Sequence, residues 1–178
     1  MLKDPKGKKP YAIDIPEDQW MEMMQNIRDG IFRKIKAVRI MQATDKDIAA
    51  GLYVYAVEEF GKLLLLRNAP SLNGMRKVRY ENEFVNHGKK IRAAFDYFQD
   101  NGFDSCIVLT QGHFVISDVV WSDVDIGLLA NTEARLSIFY SDFVYNSNQK
   151  PIIEKPPSVD LKILQSATEQ LETAAKGL

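Results

Sequence analysis

Between Asp47 and Arg67 the chain is apolar on nearly every side: Ile48, Leu52, Val54, Ala56, Val57, Phe60, Leu63, Leu64 and Leu66 leave no continuous polar face. A helix of this kind has to be covered all round, so it predicts a central element surrounded by several others. The 178-residue chain is long enough to supply them within one domain. The same helix nevertheless carries Glu58, Glu59, Gly61 and Lys62. Burying an ion is costly unless something pairs with it. A mid-helix glycine costs about 0.8–1 kcal/mol relative to alanine, and its use here points to another backbone coming close.

The neighbours can be read from three-four spacing. Pro16 opens a first helix where its missing N–H does no harm, with Glu17 and Asp18 in the first turn. Trp20, Met24, Ile27, Ile31, Ile35 and Val38 form its apolar stripe, to about Gln42. Thr44–Asp47 breaks that helix and caps the central one, which Pro70 and the Ser71–Gly74 run close. A third helix is expected from Val78 to Asp100, with Tyr80, Phe84, His87, Ile91, Ala94 and Phe98 inward, Gly88 in mid-helix and Asn101-Gly102 as the stop. Ser158 caps a last helix with Asp160 in its first turn and Leu161, Leu164, Ala167, Leu171 and Ala174 as its stripe; Gly177 ends it. The fold class is therefore mainly α: an antiparallel up-and-down bundle over 16–178, behind a flexible basic tail at 1–15.

Residues 103–150 read differently. Ser105–Thr110 and Phe114–Val120 are rich in β-branched and aromatic residues around Gln111-Gly112, which predicts a short β-hairpin in the 105–120 region. Asn131 or Thr132 caps a helix from Glu133 in one reading, and Arg135–Tyr145 is extended in another. Pro151, Pro156 and Pro157 describe a stiff, exposed connection.

Composition removes several function classes. Twenty-three Lys and Arg against 24 Asp and Glu give no general attraction to nucleic acid. The single Cys106 excludes an intramolecular disulfide and a Cys-rich zinc site, and reads as a small apolar residue of strand or core. Only His87 and His113 are present, and no second Glu–His pair stands beside Glu83 and His87, so neither a His-rich zinc centre nor a ferritin-like di-iron site is expected. Asp118, Asp123 and Asp125 lack the closing Glu of a calcium loop. There is no phosphate-binding glycine loop, dinucleotide fingerprint or nucleophile elbow. No metal and no cofactor is expected. No stretch reaches the roughly 20 apolar residues that span a bilayer, and the N-terminal residues lack an apolar run of the secretory type, which predicts a cytoplasmic protein without a membrane partner.

One polar constellation remains. Glu58 and Lys62 are four apart in the favourable order for an ion pair. Glu59 lines up with Leu52, Ala56, Leu63 and Leu66 and is expected to face the core. If Gly61 and Gly88 mark one close helix crossing, Glu59 comes within reach of His87. A carboxylate can hold an imidazole in one tautomer, poised as general acid or base, while Lys62 or Lys90 receives a phosphate. The same residues also describe a buried polar network that only fixes helix register.

Glu58-Glu59-Phe60-Gly61-Lys62, followed by His87-Gly88-Lys89-Lys90, resembles the Glu-Glu-x-Gly-Lys and His-x-x-Lys signatures of AbiV-type abortive-infection proteins, within the broad HEPN group of helical domains. Arg135, Tyr140 and Asp142 are similar to the family's segment before its last helix. The resemblance implies a helical bundle, often a homodimer, that defends bacteria or archaea against phage by binding a phage or host protein or RNA. Many HEPN proteins are metal-independent ribonucleases with Arg placed four to six residues before His. Here those positions before His87 hold Tyr80, Glu81 and Asn82, with Arg79 one residue too far, and before His113 they hold Cys106, Ile107 and Val108.

Overall fold

A computed structural model of the chain describes residues 12–80, 84–103, 107–110, 113–116, 143–145, 151–153 and 161–178. Four helices dominate these residues: α1 (Glu17–Met41), α2 (Lys46–Arg67), α3 (His87–Asp100) and α4 (Leu161–Lys176). The expected mainly α fold is the one observed. Among the described residues the strands are β1 (Ile13–Pro16), β2 (Ser71–Leu72), β3 (Met75–Val78), β4 (Ile107–Thr110), β5 (His113–Ile116), β6 (Phe143–Tyr145) and β7 (Pro151–Ile153).

Helix α2 is the axis, packed by α1, α3 and α4. Its N-cap Asp45 accepts hydrogen bonds from the amides of Asp47 and Ile48, satisfying two donors that the first turn cannot use internally. Tyr53, Phe60 and Leu66 are fully buried along it. The α1 stripe faces it through Trp20, Ile27, Ile31, Ile35 and Val38. From α3 come Ile91, Ala94, Phe95 and Phe98, with the Phe98 ring stacked on Phe60 at 5.5 Å; from α4 come Leu164, Ala167 and Leu171. A short link from 42 to 45 makes α1 and α2 antiparallel neighbours.

Three expectations need correction. Ile13, Asp14 and Ile15, expected in the tail, form a strand with Pro16, antiparallel to β3 with Ile13 opposite Val78; residues 1–11 lie outside the described set. The Ser71–Gly74 run does more than close α2. Asn73 and Gly74 both have positive φ (52° and 72°), the turn that joins β2 to β3 with Leu72 opposite Met75. Consequently Met75–Val78 is strand, and α3 starts at His87 rather than Val78, with Asn86 as its N-cap accepting from the Lys89 amide at 2.9 Å. Gly88 thus belongs to the first turn of α3, not its middle.

The small sheet is bolted to the start of α1. Arg76 grips the Glu17 carboxylate through two nitrogens (3.0 and 2.9 Å), donates to the Ala69 carbonyl and lies over the Trp20 ring. Such a bidentate fork fixes orientation as well as charge.

Strands β4 and β5 form the expected hairpin, with Thr110 opposite His113. Strands β6 and β7 make a second one, so Phe143–Tyr145 is extended and Pro151 begins a strand, where its missing N–H is tolerated, instead of an open connection. The expectations for Cys106, Asp118–Asp125, Glu133, Arg135–Asp142, Pro156, Pro157 and Ser158–Asp160 fall outside the described residues.

Candidate functional site

The polar constellation forms where α3 crosses α2, and Gly61 permits it. A Cβ placed on Gly61 would stand 1.6 Å from the Lys90 carbonyl oxygen and 2.5 Å from its carbon. No side chain fits there. The crossing is therefore between Gly61 and Lys90, two residues beyond the expected Gly88.

That contact lays the first turn of α3 over Glu58. The Glu58 Oε1 lies 2.7 Å from His87 Nδ1 and accepts from Lys90 Nζ at 2.6 Å. Lys90 Nζ also donates to the Phe84 carbonyl at 3.1 Å. Lys90 and Glu58 are buried, with side chains 3% and 8% exposed, whereas His87 is 36% exposed at the rim. Burial pushes the Glu58 carboxyl up, but donation from Lys90 and then His87 outweighs it and holds the group below the usual carboxylate range. The result is an ionised carboxylate that orients one imidazole nitrogen, itself anchored by a buried ammonium.

Glu58 and Glu59 exchange the roles expected of them. Glu59 does not reach His87; it accepts from Lys62 at 2.9 Å, three residues on, at the half-buried edge of α2. Glu58, expected to pair with Lys62, is the buried member. A signal for this was present: Glu58 and Gly61 are three apart and share a helix face, while Glu59 is two from Gly61 and points away. The glycine that admits α3 therefore marks which acid meets it.

Glu59 also borders an open depression of about 690 Å³ where α1 meets the edge of α2, lined from α1 by Glu22, Met23, Ile27, Gly30, Arg33 and Lys34. Among the described residues no group of three or more His, Cys, Asp or Glu side chains could hold a metal, and no helix is long and apolar enough to cross a membrane. Compared with protein-family models, characterised proteins and solved structures, the chain matches none.

Proposed function

We propose that the chain is a cytoplasmic phage-defence protein of the AbiV type that acts by binding a phage or host component. The Glu58–His87–Lys90 cluster is then the rigid frame that holds α3 on α2. Support comes from the family-like residues Glu58–Lys62 and His87–Lys90 falling together at one helix crossing. The observation that favours binding over catalysis is the state of the two lysines. Lys90 Nζ is buried and engaged by Glu58 and the Phe84 carbonyl, and Lys62 Nζ is engaged by Glu59, so neither is poised to hold a phosphate. The test is phage plating on bacteria expressing the protein. Wild type is expected to lower plating for at least one phage of a broad panel, and a folded surface variant that loses protection locates the contact. Unchanged plating across the panel, with the protein present and folded, overturns the reading.

A second reading rests on the exposure of His87 beside a buried carboxylate. In it the protein is a metal-independent ribonuclease, His87 is the general base and Glu58, in the place expected of Glu59, is its positioning residue. RNA cleavage in EDTA by wild type, abolished in a His87→Ala variant that melts like the parent, is the outcome this reading requires.

A further inference from the structure

Two cations meet over Gly30. That residue is buried in the body of α1. Outside the helix backbone, the nearest described atoms to a Cβ built on it are the guanidinium tip of Arg33 and the ammonium of Lys34, both 3.9 Å away. The two charges therefore lie within about 8 Å of each other, where like charges repel. Neither makes an ion pair among the described residues. The missing side chain at Gly30 lets both tips fold back over the helix, into the depression between α1 and the edge of α2.

The rest of that depression is not basic. Glu59, on the α2 side, is already matched by Lys62. Glu22 has no cationic partner among the described residues and stands about 12 Å from Gly30 by helix rise, with Met23, Asn26 and Ile27 between. Two unanswered positive charges thus mark one end and one unanswered negative charge the other. An RNA strand fits poorly, because its backbone repeats a negative charge along its length and would meet Glu22. A small molecule fits poorly too, since the depression lies open along the roughly 22 Å from Gln19 to Lys34 and does not enclose what it holds. That length is about that of six extended residues. The end of a polypeptide has the required polarity when a basic side chain precedes its free carboxylate.

We propose that this depression takes the C-terminal end of a partner polypeptide. Its carboxylate sits on Arg33 and Lys34, and a lysine or arginine about three or four residues earlier sits on Glu22. The proposal rests on the reading of the protein as a binder and names the part of the partner it holds.

Fluorescence polarisation of the full chain with labelled hexapeptides tests it. Each peptide carries a lysine three residues before its end, has its other positions varied, and is made both as free carboxylate and as amide. Members of the carboxylate set are expected to bind, and their amides at least about tenfold more weakly. Arg33→Ala with Lys34→Ala should weaken binding at least about tenfold while melting like the parent. Glu22→Lys should lose the lysine peptides and accept versions with glutamate in that place. Binding by no member overturns the proposal, as does equal binding of carboxylate and amide. Displacement of the peptides by a uridine oligonucleotide overturns it in favour of RNA. Wild type that lowers phage plating yet ignores the peptides overturns the docking site alone; one that takes the peptides without protecting overturns the defence reading alone.

Discussion

Gly61 and Gly30 are both glycines in the body of a long helix, and their surroundings are opposite. At Gly61 the space a side chain would take is filled by the Lys90 carbonyl, and the charges around it are matched: Glu58 with Lys90 and His87, Glu59 with Lys62. At Gly30 the space is empty of backbone, and Glu22, Arg33 and Lys34 are unmatched among the described residues. The α2–α3 crossing is complete within one chain. Gly30 is buried as well, but only under the flexible ends of Arg33 and Lys34.

Substitutions at the crossing should cost most. Gly61→Ala forces its Cβ into the Lys90 carbonyl, which flexible side chains cannot relieve, so a loss of more than about 4 kcal/mol is expected. Thermal melting should show a fall of about 8–16 °C or no folded protein; a melting point near wild type would break the comparison at its root. Glu58→Ala leaves the Lys90 ammonium buried without its carboxylate and should cost about 3–5 kcal/mol, part of which Lys90→Met restores in the same chain. Denaturant unfolding of the single and double variants measures the recovery.

The acid limb of stability sharpens the same point. Because the folded Glu58 carboxyl lies below its unfolded value of about 4.5, its contribution is full above that pH and is lost as pH falls through the folded value. Glu17 and Glu172 are lowered too, by Arg76 and by Arg39 with Lys176, so the window is shared. The difference between wild type and Glu58→Gln across pH 2 to 5, on the order of the range over which such carboxyls titrate, isolates Glu58: the stability gap should narrow as pH falls.

On the other side of the comparison, Gly30→Ala should raise the stability of the chain by about 0.8–1 kcal/mol, since alanine restores helix propensity without a clash. A loss resembling that of Gly61→Ala would mean that rigid backbone, and not the ends of Arg33 and Lys34, covers Gly30. Smallest of all, Lys62→Ala removes a part-exposed pair on the edge of α2 and should cost only about 0.2–1 kcal/mol by denaturant titration.

The helical stripes explain why much of this fold was legible. Trp20 to Val38 and Leu164 to Ala174 are polar on one side and apolar on the other, so their period names both the helix and its buried face. α2 offers no such contrast. With apolar residues all round, spacing could not say whether Glu58 or Glu59 met α3, and aligning Glu59 with Leu52, Ala56, Leu63 and Leu66 chose the wrong one. Asn73-Gly74 between Leu72 and Met75 is a strong local hairpin signal as well as a helix stop. Extending the apolar spacing from Val78 through Phe84 then hides Asn86, whose side chain caps α3 nine residues later than expected. His87 and Lys90, three apart in the first turn that this cap opens, share the face that meets Glu58.

Lys90 meets α2 twice, with its carbonyl against Gly61 and its ammonium on Glu58. These two contacts lie about one helical turn apart and act as a detent against sliding. Advancing α3 by a turn along α2 would drive the carbonyl onto Val57 or Leu65, where a side chain blocks it, and would strand the ammonium in apolar surroundings. Shear, the usual way packed helices accommodate a ligand, is therefore closed to this pair. Any rearrangement on meeting a target has to pivot around α2 and α3 as one unit.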